Sequence, residues 1–196
     1  MGWHRAVDDF GEEFFTVHPT PSDAELRGVP TLSGVMDFDT GLFTAMCAVH
    51  EAGHVVLARE AGLEVTGVWV DPSGTGPTGG TELPPWELPW HTAGAMLAAG
   101  EQAARRWMID SGYYTPTRGW AAEVLAREDR AQAANSNTGP IDIVTDDSAN
   151  PHDWRHLGVC ARRRLDARWG DVLDIATALV QRGRLTPDTY PLNERR

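Results

Sequence analysis

Residues 48–58 read AVHEAGHVVLA, in which His50 and His54 stand four positions apart and Glu51 directly follows the first histidine. Residues four apart on an α-helix project from one face, so both imidazoles can reach a single tetrahedral Zn²⁺. Glu51 can lean over the open coordination position and take a proton from a metal-activated water, whose pKa falls toward ~7. This H-E-x-x-H spacing therefore predicts a helix that carries two zinc ligands and a general base.

The helix around this motif is predicted to begin at Asp39 or Thr40, which are both acceptable N-caps, and to end at Gly62. Its apolar stripe recurs at three- and four-residue steps: Phe43, Met46, Cys47, His50, His54, Leu57 and Ala61. The alternative is a plain amphipathic helix with two core histidines. Two features favour the metal site. Unpaired polar groups on an apolar stripe are costly, and Gly53 destabilises a helix by ~1 kcal/mol unless something approaches its backbone closely.

The remaining sequence predicts a helix-dominated α+β fold with a small sheet beside the motif helix. Residues 1–38 are expected to form an irregular N-terminal arm with one short helix, and residues 39–196 to form the main domain. The predicted elements follow in this order: a strand at 64–70, a turn-rich loop at 71–90 with a short strand at Gly80–Leu83, helices at 91–111 and 119–134, a loop at 135–151, and helices at 152–168 and 171–183.

The composition and net charge of the chain limit the classes of molecule that we expect it to bind. The 196 residues include 41% apolar types, enough for a sizeable core, and carry a formal net charge of -11 at pH 7. Such a charge argues against a nucleic acid or an anionic membrane as partner. The only two cysteines, Cys47 and Cys160, do not make a disulfide framework, and the sequence has neither a signal peptide nor a spanning segment. We therefore expect a soluble, cytoplasmic protein.

A third zinc ligand must come from elsewhere in the chain. Glu101, on the next strong helix, would complete a His₂Glu site. Asp153 opens the helix after the 135–151 loop, within NPHDWRHL, and would complete a His₂Asp site. By ligand chemistry alone the two carboxylates are nearly equal candidates, whereas Cys47 is better explained as a small buried apolar residue than as a ligand.

The order of these segments resembles a known family. The stretch HEAGHVVLAREAG, then a strand with TGGTEL, then AAGEQAARRW, then a loop and HDWRHL is similar to the M41 peptidase domain, the protease part of the FtsH-type ATP-dependent proteases. The similarity spans about residues 40–185 and is specific at H-E-A-G-H. It departs from the family at Ala99–Ala104, where the family's arginine and glutamate are missing.

That resemblance implies a zincin-like domain and favours Asp153 over Glu101 as the third ligand. It also implies that an extended peptide pairs with the strand at Val65–Val70 or with the one near Gly80–Leu83. The implied substrate-binding residues are Val68, Val70, Gly79, Gly80 and Thr81. Because the sequence contains no ATPase module and no membrane anchor, we expect ATP-independent action on a peptide, an unfolded segment or a dedicated protein partner.

Together these features predict a zinc-dependent metalloendopeptidase with one Zn²⁺ per chain, held by His50, His54 and Asp153, and with Glu51 as general base. Two alternatives remain open. One is a regulatory H-E-x-x-H protease that clips a repressor-like partner. The other is a pseudo-peptidase that keeps zinc for folding and binds a protein, which would be indicated by a closed site with a fourth ligand such as Glu101 or His152.

Overall fold

The fold is taken from a computed structural model, which describes residues 4–7, 13–16, 18, 32–73, 78–135, 141 and 150–191. Within these residues the helices are α1 Leu32–Met36, α2 Thr40–Glu60, α3 Trp90–Asp110, α4 Pro116–Leu125, α5 Arg127–Asn135, α6 Trp154–Ala167 and α7 Trp169–Arg182. The strands are β1 His4–Val7, β2 Glu13–Thr16, β3 Gly67–Asp71, β4 Thr78–Glu82 and β5 Arg184–Leu185. Helices dominate and the main sheet is small, which confirms the α+β class.

The motif helix α2 lies at the centre of this arrangement, packed against α3, α7 and the sheet. Asp39 caps its N-terminus by accepting a hydrogen bond from the Leu42 N–H at 2.8 Å, and Gly62 follows its end with a φ of +83°. Both ends match the predicted ones. The helix is long and apolar enough to cross a membrane, but 72% of its most apolar window is buried inside the fold. It is the core helix of the domain.

Gly53 lies at a close approach between α2 and α3. A Cβ added at this position would lie 2.7 Å from the Ala99 carbonyl oxygen and 2.8 Å from the Ala103 Cβ. The neighbouring helix therefore occupies the space of a side chain, which confirms the expectation that something approaches the backbone here. The close contact brings α3 directly beneath the two histidines of the motif.

The main sheet has the strand order β4-β3-β5, and both pairings are antiparallel. Strand β3 is central, and Val68 and Val70 are buried in the core. Both sides of β3 are paired, with β4 and with β5, so these two valines lie away from a free strand edge, and their contact with a peptide stays a prediction. Among the described strands, β4 is an edge of this sheet on the side of α2. It overlaps the predicted Gly80–Leu83 strand, begins two residues earlier and ends one residue earlier.

Other elements differ from the sequence prediction. The helix predicted at 119–134 is two helices, α4 and α5, separated at Ala126, whose backbone is not helical. Each of the two buries a face of its own, which a single straight helix could not do. The N-terminal arm holds an unpredicted antiparallel pair, β1 and β2, besides the short helix α1. The 135–151 loop lies mostly outside the described residues, as do residues 74–77 of the loop at 71–90 and most of 1–31.

Candidate metal centre

His54 is held in one orientation by the neighbouring helix. Its Nδ1–H donates to the Met96 carbonyl oxygen at 2.9 Å, and the side chain is buried. Because a carbonyl can only accept, the hydrogen bond identifies Nδ1 as the protonated nitrogen and leaves the Nε2 lone pair for another partner in the neutral ring. Metal-ligating histidines are oriented in this way by a second partner on the other ring nitrogen.

The atoms that could bind a metal meet above α3. The Nε2 atoms of His50 and His54 are 3.1 Å apart, and Oδ2 of Asp129 lies 3.2 Å from the first and 3.4 Å from the second. A tetrahedral zinc with ligands at about 2.0–2.1 Å requires ligand atoms about 3.3 Å apart. The three atoms thus have the spacing of one face of a zinc coordination sphere. Among the described residues they form a group that could hold a metal ion.

Gly100 on α3 leaves the space that these imidazoles occupy. A Cβ at this position would lie 2.4 Å from Nε2 of His54 and 2.5 Å from Nε2 of His50. Any other residue would push the ligand atoms apart, so the glycine is required by the two histidines rather than by its own backbone. The donor set, its spacing and this gap all fit a divalent metal with His₂Asp ligation.

The charged groups of this cluster shift one another's pKa values. Burial lowers the pKa of His54, but the Asp129 carboxylate outweighs it and raises the pKa to about 9. Burial alone would raise the pKa of Asp129, yet the two imidazoles hold it well below its usual range. The proton on His54 thus supplies positive charge next to the Asp129 carboxylate. A metal ion would supply that charge in place of the proton.

Asp129 is brought to the histidines by a buried ion pair one residue further along α5. Arg130 donates to Oε2 of Glu101 from Nε at 3.1 Å and from Nη2 at 2.8 Å, and both residues are buried. The Trp154 indole N–H also donates to this oxygen, at 3.3 Å. Glu101 therefore balances Arg130 and does not join the metal group. Its role is to attach α5 to α3, with Asp129 facing the site.

Asp153 occupies a different place from the one predicted. It is the N-cap of α6, is 1% exposed, and accepts a hydrogen bond from the Arg155 N–H at 2.7 Å. A carboxylate at a helix N-terminus is stabilised by the free N–H groups and the helix dipole. The structure groups Asp129, and not Asp153, with His50 and His54. Asp129 is thus the carboxylate that lies beside the two histidines in the structure, and the role of Asp153 as third ligand stays a prediction.

The general-base candidate Glu51 lies on the same helix and is 8% exposed. Its Oε2 accepts a hydrogen bond from the Thr81 hydroxyl at 2.8 Å. Gly79, on the same strand β4, passes so close that an added Cβ would lie 2.8 Å from the Glu51 Cγ. These contacts fix the carboxylate between the motif helix and the edge strand.

A cleft of about 420 Å³ opens over this group of residues. Its histidine and acidic side chains come from α2 and α5, and it is also lined by Gly79, Gly80 and Thr81 of β4 and by the apolar Trp86. The predicted residues His50, Glu51, His54, Gly79, Gly80 and Thr81 therefore share one cleft. Sequence reasoning missed Asp129, since its only signal was an acid beside an arginine in a charged helix. That pattern is common on protein surfaces.

No protein-family model matches the chain, and no curated protein matches it with significance. The resemblance to M41 peptidases, and any activity that it implies, therefore remain proposals.

Proposed function

We propose that the chain is a zinc-dependent metalloendopeptidase with a zincin-like, M41-like domain, in which His50, His54 and Asp129 hold the metal and Glu51 is the general base. The observation that carries the proposal is the spacing of the three ligand atoms at 3.1–3.4 Å, over a glycine that makes room for them. The position of Glu51, next to His50 and in the same cleft, adds the group that hydrolysis requires.

A bound zinc would supply Lewis acidity and make a water acidic enough to ionise near neutral pH. Glu51 would accept a proton from this attacking water while the new C–O bond forms at the peptide carbonyl. The same carboxyl would then deliver the proton to the leaving nitrogen as the C–N bond breaks, so atoms and charge balance. The hydrogen bond from Nδ1 of His54 to the Met96 carbonyl would leave Nε2 as the nitrogen with which His54 holds the metal.

An extended peptide is the substrate that the cleft supports best. Strand β4 is an edge among the described strands, and its Gly79 and Gly80 line the cleft without side chains, so a peptide could add to it as a further strand. Glu51, Asp129 and Glu128 all line the cleft, and no lysine or arginine is found among its described lining residues. Acidic peptides would be repelled, and neutral or basic ones favoured.

The pseudo-peptidase alternative has less support. A structural zinc site needs four protein ligands, whereas the metal group among the described residues has three. Glu101 is bonded to Arg130, and His152 stacks on Trp90 with ring centroids 4.0 Å apart. This arrangement favours an open coordination position. A regulatory protease with one dedicated protein partner would use the same centre. A cytoplasmic location is part of the proposal and agrees with the two free cysteines.

The test compares the parent with Glu51→Gln, which keeps the size of the side chain and removes the base. Both proteins should retain about one zinc after dialysis, measured by atomic emission, and only the parent should release fluorescence from labelled, unfolded casein. Glu64→Gln, an exposed glutamate outside the cleft, is the matched control and should cleave normally. Cleavage by Glu51→Gln at the parental rate would refute the proposed role of Glu51. Absence of zinc from the parent would refute the metal site.

A further inference from the structure

Glu51 is contacted by the edge strand at two points. The Thr81 hydroxyl donates to its Oε2 at 2.8 Å and lies 3.4 Å from its backbone oxygen. Two residues earlier on the same strand, Gly79 leaves just enough room for the Glu51 side chain, since an added Cβ would lie 2.9 Å from Oε1. One oxygen of the carboxylate is thus bonded, and the other is confined by backbone.

Oxygens of one carboxylate differ in function when one of them is bonded elsewhere. The oxygen that accepts from Thr81 is engaged in a hydrogen bond and cannot rotate freely, which leaves Oε1 as the oxygen available to take a proton. A general base must hold its accepting atom within hydrogen-bond reach of the proton that it takes. The side chain of a buried glutamate has several rotatable bonds, and a fixed second oxygen restricts all of them.

We propose that Thr81 is a positioning residue for Glu51, and that the edge strand β4 has two tasks: to pair with the peptide and to hold the base. This inference rests on the proposed peptidase function. It assigns to the Thr81 side chain a role different from the substrate contact predicted from the sequence. Because one strand performs both tasks, peptide binding and orientation of the base are mechanically linked through residues 79–81.

The deciding variants are Thr81→Val and Thr81→Ser. Valine keeps the branched shape and loses the hydroxyl, whereas serine keeps the hydroxyl and loses a methyl group. With a quenched fluorescent peptide that the parent cleaves, Thr81→Val should lower kcat about 10–100-fold, the size usual when a hydrogen-bond partner that orients a site residue is lost. The KM and the zinc content should stay unchanged. Thr81→Ser should retain most of the parental kcat. Parental kcat in Thr81→Val, or equal losses in both variants, would overturn the proposal.

A second measurement does not depend on cleavage. In zinc-loaded protein labelled with carboxyl-¹³C glutamate, the Glu51 resonance is assigned by its absence from Glu51→Gln. This resonance should shift in Thr81→Val and stay close to the parental position in Thr81→Ser. If the parent cleaves no peptide, the peptidase function fails, and the ¹³C comparison still decides whether Thr81 holds the carboxylate. An unshifted resonance in Thr81→Val would show that it does not.

Discussion

Replacing Gly100 by alanine should remove the metal from the His50–His54 centre while the helices remain folded. The added Cβ would lie 2.4 Å and 2.5 Å from the two Nε2 atoms, whereas an ordinary contact begins at 3.4 Å. The imidazoles must therefore retreat by about 1 Å, five times the roughly 0.2 Å that a metal–ligand distance tolerates. Alanine is also favoured over glycine within a helix by about 1 kcal/mol, so helix propensity does not oppose the change.

Zinc affinity should fall at least about 100-fold, which corresponds to about 2.8 kcal/mol of binding free energy. A competition titration against a chromophoric chelator measures the affinity, and far-UV circular dichroism checks that the helical content is kept. Gly170→Ala is the matched control, since a Cβ there would meet nothing within 4 Å. The control should bind zinc as the parent does. Parental affinity in Gly100→Ala would refute the placement of the two imidazoles against α3.

Three further results are expected. In the same chelator titration, Asp129→Asn should weaken zinc binding by at least about 10-fold. Asp153→Asn keeps an N-capping side chain and should leave the zinc affinity unchanged. The reverse outcome would identify Asp153 as the ligand. Arg130→Met should lower the free energy of unfolding, measured in urea, by about 3–5 kcal/mol, because it leaves the buried Glu101 carboxylate without its charged partner. A loss under about 1 kcal/mol would contradict the buried ion pair. Burial, together with the charge of Glu51, raises the pKa of Cys47 to about 12. Iodoacetamide at pH 8 should therefore modify the Cys47 thiol about 1000-fold more slowly in the folded protein than in the unfolded chain. Fast labelling of Cys47 in the folded protein would contradict this prediction.

The features that the sequence predicted well are local ones. Helical periodicity locates α2 from Asp39 to Gly62, and the cap and the left-handed glycine at its ends depend on residues within one turn. The spacing of His50 and His54 likewise follows from the geometry of a single helix. The helix-dominated class was predictable for the same reason. Contacts between segments distant in sequence were not predictable from such local patterns, and the third ligand is an example.

Asp129 was missed because its position depends on a pairing across the fold. The helix that carries it has few apolar residues, and such a charge pattern is typical of an exposed surface. Arg130 is nevertheless buried, since Glu101 on α3 neutralises it and Trp154 shares the same carboxylate oxygen. No local pattern marks a charged residue whose partner lies on another helix. The resemblance to a known family favoured the helix N-terminus at Asp153 instead.

The sequence by itself determined that one helix carries two imidazoles and a carboxylate on neighbouring positions, because helical geometry is set by residues close in the chain. Only the tertiary structure decided which carboxylate meets the two Nε2 atoms and which of the described strands lies at the edge of the sheet beside them. It also decided that Gly53 and Gly100 are needed for close packing. Each of these depends on which elements become neighbours, and that is settled by packing and charge pairing between segments far apart in sequence.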